Sequence, residues 1–174
     1  EAAFAAAEAN TPGYAYDFFT YVGDIDFATF GGATTIAGWL ASAGGVVSGL
    51  DIGGLLLSAG DITKGTATTS FFAFQLDDFL GQSDFTIRHD DGVAVFDLDG
   101  EDPVLVGGFV GQNSVRTTQV NGFNGGGLGI LYVATNSDPS ILNVDVAAVP
   151  VPAAGFLLIG ALGGLAALRR RKTV

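Results

Sequence analysis

The sequence predicts an all-β fold, an antiparallel β-sandwich or jelly roll, followed by a single C-terminal transmembrane helix. Three observations lead to this prediction. Short apolar runs alternate with polar residues at the two-residue period of a strand. Glycine accounts for 27 of the 174 residues and, with aspartate, marks frequent tight turns. The last part of the chain is uncharged and apolar over a length that suits a membrane helix.

Composition favours one exported domain. The chain has no methionine, so we expect that a secretory signal peptide was removed before Glu1. It has no cysteine either, which excludes disulfides and thiol chemistry. Residues 1–168 hold three basic and eighteen acidic residues, a net charge of about −15. Such a charge repels nucleic acid and anionic lipid, so we expect no nucleic-acid partner.

The first thirty residues predict a short helix and then strands. Residues 1–10 are alanine-rich and favour a helix that ends at Thr11-Pro12-Gly13. Residues 14–30 alternate aromatic and acidic side chains, which is typical of half-buried strands. We expect one or two such strands around a turn at Gly23-Asp24.

Residues 31–60 contain apolar runs separated by glycine and serine. We predict short strands with glycine turns here. Hydropathy alone would also allow a second membrane span over residues 36–57. Asp51 and the lack of a basic flank oppose that alternative.

From residue 66 onward the strand signal is regular, which favours an antiparallel sandwich or jelly roll. Asp90-Asp91-Gly92 is predicted to form a hairpin turn, and residues 99–103 a second turn. The domain should therefore cover residues 1–146, with a linker at 147–152 and the helix with its basic tail at 153–174. We predict strands at residues 70–76, 84–89, 93–98, 104–106, 129–134 and 141–146.

Part of this half resembles a known class of module. Residues 85–96, read as strand, Asp-Asp-Gly turn and strand, resemble the core of carbohydrate-associated β-sandwiches of the protective-antigen type. Residues 127–132 and 139–142 resemble their closing strands, and the whole resemblance spans residues 85–146. One departure is that Val133-Ala134-Thr135 stand where these modules usually carry an acidic residue after the tyrosine. The resemblance implies that, as in the lectin members of this class, an Asp-Asp pair binds calcium, which in turn holds sugar hydroxyls.

Asp90 and Asp91 are the candidate metal ligands. Adjacent carboxylates on a turn can place several oxygens on one calcium ion, which takes six to eight oxygen ligands. We expect a neighbouring loop to add oxygens, for example from Asn121, Asn124 or Asp17. An ordinary turn remains the alternative, because Asp and Gly favour turns without any metal.

Other polar residues carry weaker signals. Residues 97–102 hold four carboxylates, which suit either a cation or a solvated turn, and they lie about 20 Å from Asp90, too far to share an ion. His89 is expected at the surface or in a turn. No nucleophile-elbow sequence is present, so we assign no catalytic residue and predict a protein that is not an enzyme. A glycan-acting hydrolase remains the enzyme alternative, because converging acids are not visible in a sequence.

The C-terminal tail has three parts. The first contains two prolines and comprises Val149, Pro150, Val151, Pro152 and Ala153. The uncharged residues 151–168 would reach about 27 Å as a helix, enough to cross a bilayer core. A basic cluster follows and should stay in the cytoplasm, which places residues 1–148 outside the inner membrane; it comprises Arg169, Arg170, Arg171 and Lys172. Gly160 and Gly164 are spaced as a pair that lets two membrane helices pack closely.

This tail resembles the PEP-CTERM class of bacterial sorting signals, in the variant that reads Val-Pro-x-Pro-Ala. The resemblance implies recognition by an exosortase-type membrane protease in Gram-negative bacteria, often ones that make exopolysaccharide or biofilm. An ordinary single-pass anchor is the alternative. We therefore predict an exported protein, held in the inner membrane with a periplasmic or extracellular domain or released to the matrix.

The predicted role is that of a structural or adhesive surface or extracellular-matrix component. A calcium-dependent carbohydrate-binding module is one alternative, with calcium as cofactor and polysaccharide as partner. A self-assembling filament or sheath subunit, with other copies of the chain as partners, is another. The glycine-rich, apolar and acidic composition is compatible with all three roles.

Overall fold

The computed structural model describes residues 15–29, 31, 34–60, 68–79, 84–111, 113–135 and 137–145. The predicted alanine-rich helix, the linker and the C-terminal helix with its sorting motif, glycine pair and basic cluster lie outside these residues. The described residues form ten strands and one short helix: β1 (Thr20–Val22), β2 (Asp26–Thr29), α1 (Ile36–Ala41), β3 (Val46–Ser48), β4 (Ser70–Phe79), β5 (Asp84–Asp90), β6 (Val93–Asp97), β7 (Val104–Phe109), β8 (Arg116–Asn121), β9 (Gly126–Ala134) and β10 (Ser140–Asp145).

Two four-stranded sheets pack face to face. One sheet has the order β2-β10-β5-β8 and the other β4-β9-β6-β7, while β1 and β3 form a separate two-stranded ribbon. Every strand pairing is antiparallel. The predicted all-β, antiparallel architecture is thus confirmed. None of the described residues belongs to a helix with the length and hydropathy that crossing a membrane requires.

Alternating side chains build the core between the sheets. Along β9, Leu128, Ile130 and Tyr132 are buried, whereas the residues between them are half-buried. β5 faces them with Phe85 and Ile87 at the same period. Burial of a side chain of this size stabilises the fold by about 1.5–3 kcal/mol. The two-residue period that predicted these strands is therefore the period of the core itself.

The predicted strands of the second half are present, but one strand was not predicted. β8 contains only one buried side chain, Val120, in a mostly polar and exposed sequence. It lies at the edge of its sheet beside β5. A strand with one apolar contact carries too little hydrophobic alternation to be found from the sequence.

Residues 31–60 contain one short strand, β3, as predicted, but also form the helix α1, which was not predicted. Thr35 caps this helix, since its Oγ1 accepts a hydrogen bond from the Gly38 amide at 3.1 Å. Trp39 is completely buried, and its ring stacks on Tyr132 with centroids 5.2 Å apart. Its indole N–H donates to the carbonyl of Ser140 at 3.1 Å. Burial of this large ring stabilises the helix by more than the low helix propensity of a glycine-rich segment costs.

The alternative of a membrane span over residues 36–57 is wrong. These residues form the six-residue α1, the three-residue β3 and turns. The apolar side chains that made the segment hydropathic serve the core instead: Ile36, Trp39, Leu40 and Leu57 are buried.

The segment Asp90-Asp91-Gly92 crosses from one sheet to the other, so the predicted hairpin is wrong. β5 pairs with β8 and β10, whereas β6 pairs with β7 and β9. We call these three residues the arch. Val133 of β9 holds it, because the Asp91 amide donates to the Val133 carbonyl at 3.4 Å and the Val133 amide donates to Gly92 at 3.0 Å. A Cβ at Gly92 would lie 3.0 Å from the Val133 side chain, which explains the glycine.

Candidate functional site

An open cleft of about 490 Å³ lies where three connections meet at one end of the sandwich. The connections are the arch, the β7–β8 loop and the β9–β10 loop. The lining residues are all acidic or neutral: Asp90, Asp91, Asn113, Ser114, Val115, Thr135, Ser137, Asp138 and Pro139. Both carboxylates of the predicted metal site thus lie in the wall of one cleft.

The two carboxylates of the arch are buried. Asp90 is 5 % exposed and Asp91 is 3 % exposed. Burial, then the charge of Asp91 and a hydrogen bond between the two carboxyl groups, raise the pKa of Asp90 to about 6. Burial also raises the pKa of Asp91. Burial removes water from both carboxylates and so disfavours their charged forms. A cation beside them would favour the charged forms.

Backbone amides fix the carboxylate of Asp91. Its Oδ2 accepts from the Thr135 amide at 3.0 Å, and its Oδ1 accepts from the Asn113 amide at 3.3 Å. These donors come from the β9–β10 and β7–β8 loops. The peptide bond that joins Asp90 to Asp91 is cis, as is the bond between Asp138 and Pro139. The arch is therefore tied to both neighbouring connections.

Asn113 contributes an oxygen with no partner. Its side-chain Nδ2 donates to the carbonyl of Asp91 at 3.2 Å. Its Oδ1 is buried, and no hydrogen-bond donor reaches it among the residues that the structure describes. The opposite orientation of the amide would place two oxygens, those of Asn113 and of the Asp91 carbonyl, against each other. A buried amide oxygen without a donor is costly unless something else fills the position, and a hard cation can.

His89 supports the arch from the core side. The ring is fully buried, and the pKa of His89 is lowered by that burial. Nδ1 contacts the carbonyl oxygen of Asp91, which can only accept, so this nitrogen carries the proton. Nε2 then accepts from the Thr118 hydroxyl at 2.7 Å. The expected surface position of His89 is wrong, because hydrogen-bond partners on both sides make the ring a satisfied core group.

Tyr132 supports the other residue of the arch. Its hydroxyl donates to the carbonyl of Asp90, and its ring is buried against Trp39. Burial raises the pKa of Tyr132, which keeps the hydroxyl a neutral donor. Both backbone carbonyls of the Asp90-Asp91 pair are thus held by aromatic side chains from beneath the cleft.

The three residues that were expected to add oxygens lie away from the cleft. Asn121 is paired with Asp84, at the far end of β5 from the arch. Asn124 is exposed in the loop after β8. Asp17 accepts the backbone amides of Asp51 and Ile52, and the Asp51 hydrogen bond is the largest cause lowering the pKa of Asp17. None of these three lines the cleft, whereas Asn113 does.

Asn113 was missed because its loop precedes the unpredicted strand β8. A polar Asn-Ser pair after β7 was the only local signal in the sequence. With β8 placed at the edge of the sheet, that pair necessarily returns beside the end of β5.

The second acidic run forms an exposed turn. Asp97 accepts the Asp99 amide at 3.0 Å, and Asp99 accepts the Gly127 amide at 2.6 Å. The Asp99 carboxylate lies over Gly126, whose φ of +95° and lack of a side chain leave room for it. These acids fasten β6 to the start of β9. Within the described ranges, no group of three or more His, Asp or Glu side chains is arranged to hold a metal.

Comparison with known proteins leaves the site to be interpreted from its chemistry. No protein-family model matches the chain, and no match was found among curated proteins or solved structures. The cleft presents carboxylate, amide and hydroxyl oxygens, and neither lysine nor arginine is among the described residues that line it. Such a surface suits a hard divalent cation and ligands that donate hydrogen bonds.

Proposed function

We propose that this protein is an exported adhesive domain that binds calcium at the arch and a glycan in the adjoining cleft. The observation that carries the proposal is the neighbourhood of two buried carboxylates and one buried, unpartnered amide oxygen. The resemblance of residues 85–146 to carbohydrate-associated modules of the protective-antigen type agrees with it. The role follows as attachment of the cell surface or matrix to polysaccharide.

The residues present fit calcium. Asp90, Asp91 and Asn113 would hold the ion with hard oxygen atoms, the type that calcium prefers. Its charge would offset the burial that raises the pKa of both carboxyls. When bound, the ion supplies positive charge and coordination positions for ligand hydroxyls. His89 and Tyr132 hold the arch backbone in place whether or not an ion is bound.

Export rests on the tail. The Val-Pro-x-Pro-Ala motif at residues 149–153, the uncharged stretch and the cluster Arg169–Lys172 support sorting by an exosortase-type protease, with Gly160 and Gly164 available for helix packing. Protease added to intact spheroplasts should digest the bulk of the chain. Protection of the domain until the membrane is lysed would contradict this topology.

Self-assembly is the second candidate, favoured by an exposed apolar surface on the β1–β3 ribbon. Val22 and Val46 are paired across the ribbon and are each 68 % exposed, and Phe18, just before β1 at the other end of the ribbon, is 77 % exposed. A filament subunit would bury such groups against another copy. Concentration-dependent polymer, lost in Val46→Asp, would favour this role over a monomeric binding domain.

Calcium-dependent retention on polysaccharide tests the main proposal. The full chain in detergent micelles is passed over neutral glucan, galactan and mannan supports in millimolar calcium. We expect retention on at least one support and elution by chelator. Asp91→Asn should abolish retention, whereas Asp102→Asn, on the exposed turn, should retain it. Equal behaviour with calcium and with chelator on every support would overturn the proposal.

A further inference from the structure

Asp138 is a third carboxylate in the cleft and is held differently from those of the arch. It lies in the β9–β10 loop, where its Oδ1 accepts a hydrogen bond from the Thr29 hydroxyl at 2.8 Å. Thr29 lies on β2, directly opposite Ser140 of β10. The carboxylate is therefore positioned by the neighbouring strand rather than by the arch.

The loop that carries Asp138 is fixed on its other side. Ser58 donates to the carbonyl of Ser137 at 3.0 Å, and Ser140 approaches the same carbonyl at 3.5 Å. The second carboxylate oxygen of Asp138 has no hydrogen-bond partner among the described residues. Asp138 also lines the cleft. The loop thus holds the Asp138 carboxylate at a fixed position in the wall of the cleft.

The charge of the cleft limits what can enter. One divalent cation balances Asp90 and Asp91, which leaves the charge of Asp138 uncompensated. Among the residues that the structure describes, no lysine or arginine lines the cleft to offset it. A carboxylate or sulfate on the ligand would be repelled, whereas a hydroxyl would donate a charge-assisted hydrogen bond. Val115 and Pro139 add apolar surface for the C–H groups of a sugar ring.

We propose that Asp138 is a specificity-determining residue that restricts this cleft to neutral polyhydroxylated ligands and rejects their anionic counterparts. The inference rests on the proposed function, because it assigns a ligand class to the same site. Repulsion between the charge of Asp138 and a negative charge on a nearby ligand should lower the affinity for that ligand by about tenfold or more. Because the charges meet in an open cleft, salt should weaken the discrimination.

Matched sugars test this assignment. The full chain in detergent micelles is titrated with glucose, galactose and mannose, and with glucuronate, galacturonate and mannuronate, in millimolar calcium. For each hexose that binds, we expect a dissociation constant about tenfold lower than that of the matching uronate. Asp138→Asn should reduce that ratio to near one and abolish its dependence on salt. Its calcium-induced rise in melting temperature should equal that of wild type, which verifies that the variant is folded.

Two failures are distinguishable. If a hexose binds with calcium but its uronate binds equally well, or if Asp138→Asn leaves the ratio unchanged, the assignment of Asp138 is overturned and the proposed function stands. If no sugar of either class binds in calcium, the proposed function fails, whether or not calcium changes the melting temperature. Thr29→Val is the control for the orientation of Asp138. It leaves the Asp138 charge in place and removes the hydrogen bond that orients the carboxylate. This variant should keep the rejection of uronates and weaken hexose binding.

Discussion

Two acidic connections flank β6. They have similar compositions but differ in burial, in pKa and in hydrogen bonding. The arch holds Asp90 and Asp91 buried, with raised pKa values, and the amide oxygen of Asn113 beside them has no hydrogen-bond donor among the described residues. The turn at residues 99–102 is exposed, and Asp99 is occupied with a backbone amide. The number of acidic residues therefore does not identify a cation site. Loss of water around the acids, together with an unsatisfied oxygen nearby, is what supports the proposal of a cation site at the arch.

The difference arises from how the two connections run. β6 and β7 form a true hairpin within one sheet, so their turn projects from the edge into solvent. β5 and β6 belong to different sheets, so the arch passes over the end of the core. There it is covered by the β7–β8 and β9–β10 loops. A connection between sheets is thus a place where polar side chains become buried.

The largest expected effect is on the support beneath the arch. His89→Ala removes a fully buried ring and leaves the Asp91 carbonyl without that donor. We expect the free energy of unfolding to fall by about 3 kcal/mol, from the cavity and the lost hydrogen bonds together. Urea unfolding monitored by circular dichroism measures this. A loss below about 1 kcal/mol would mean that the arch does not depend on the ring.

A smaller effect is expected from Tyr132→Phe. The substitution keeps the ring on Trp39 and removes only the hydroxyl that donates to Asp90. Leaving that carbonyl unsatisfied should cost about 1–2 kcal/mol. Unfolding is measured alongside near-ultraviolet circular dichroism, in which the tyrosine contribution of residue 132 is lost but the tryptophan bands should persist, because Trp39 keeps its ring neighbours. A stability equal to wild type would show that water replaces the hydroxyl.

The arch should also give the apo protein a pH dependence of a particular sign. The folded chain keeps a proton on Asp90 up to about pH 6, whereas the unfolded chain releases it near the ordinary value of 3.8. The folded state binds the proton more tightly, so stability from this group is present below that ordinary value and is lost as pH rises through about 6. In chelator, the melting temperature of wild type should fall relative to Asp90→Asn between pH 4 and pH 7. Parallel curves for the two proteins would contradict the burial of this carboxyl.

The smallest effect is expected at the exposed turn. Asp102→Asn changes a solvated acid and should alter the free energy of unfolding by less than about 0.5 kcal/mol. The same urea titration compares it with the arch variants. A destabilisation as large as that of Tyr132→Phe would erase the distinction between the two turns.

Local pattern predicted the strands but not their partners. The buried residues of β5 and β9 alternate clearly enough to be found, whereas β8 offers only Val120. Asp-Asp-Gly suits a hairpin and a crossing between sheets equally well, so the choice depends on pairings with β9 and β10, remote in sequence. Likewise α1 forms because Trp39 is buried against Tyr132, a contact between residues far apart in the chain.

The candidate site shows the same division. Asp90 and Asp91 could be selected from the sequence as an acidic pair on a turn. Their burial, the neutral His89 beneath them and the oxygen of Asn113 depend on the sheet that each strand joins. The functional groups of the site can thus be predicted from the sequence. Their burial and their neighbours depend on which strands pair in the folded chain.

Calcium titration of the full chain in detergent micelles tests the central claim most directly. Wild type should bind one ion per chain with millimolar affinity or better, and should gain about 1–2 kcal/mol of stability at several millimolar calcium. Asp91→Asn and Asn113→Ala should lose that gain, while Asp102→Asn should keep it. A wild-type melting temperature unchanged by calcium, or a gain lost in Asp102→Asn and kept in Asp91→Asn, would contradict the account.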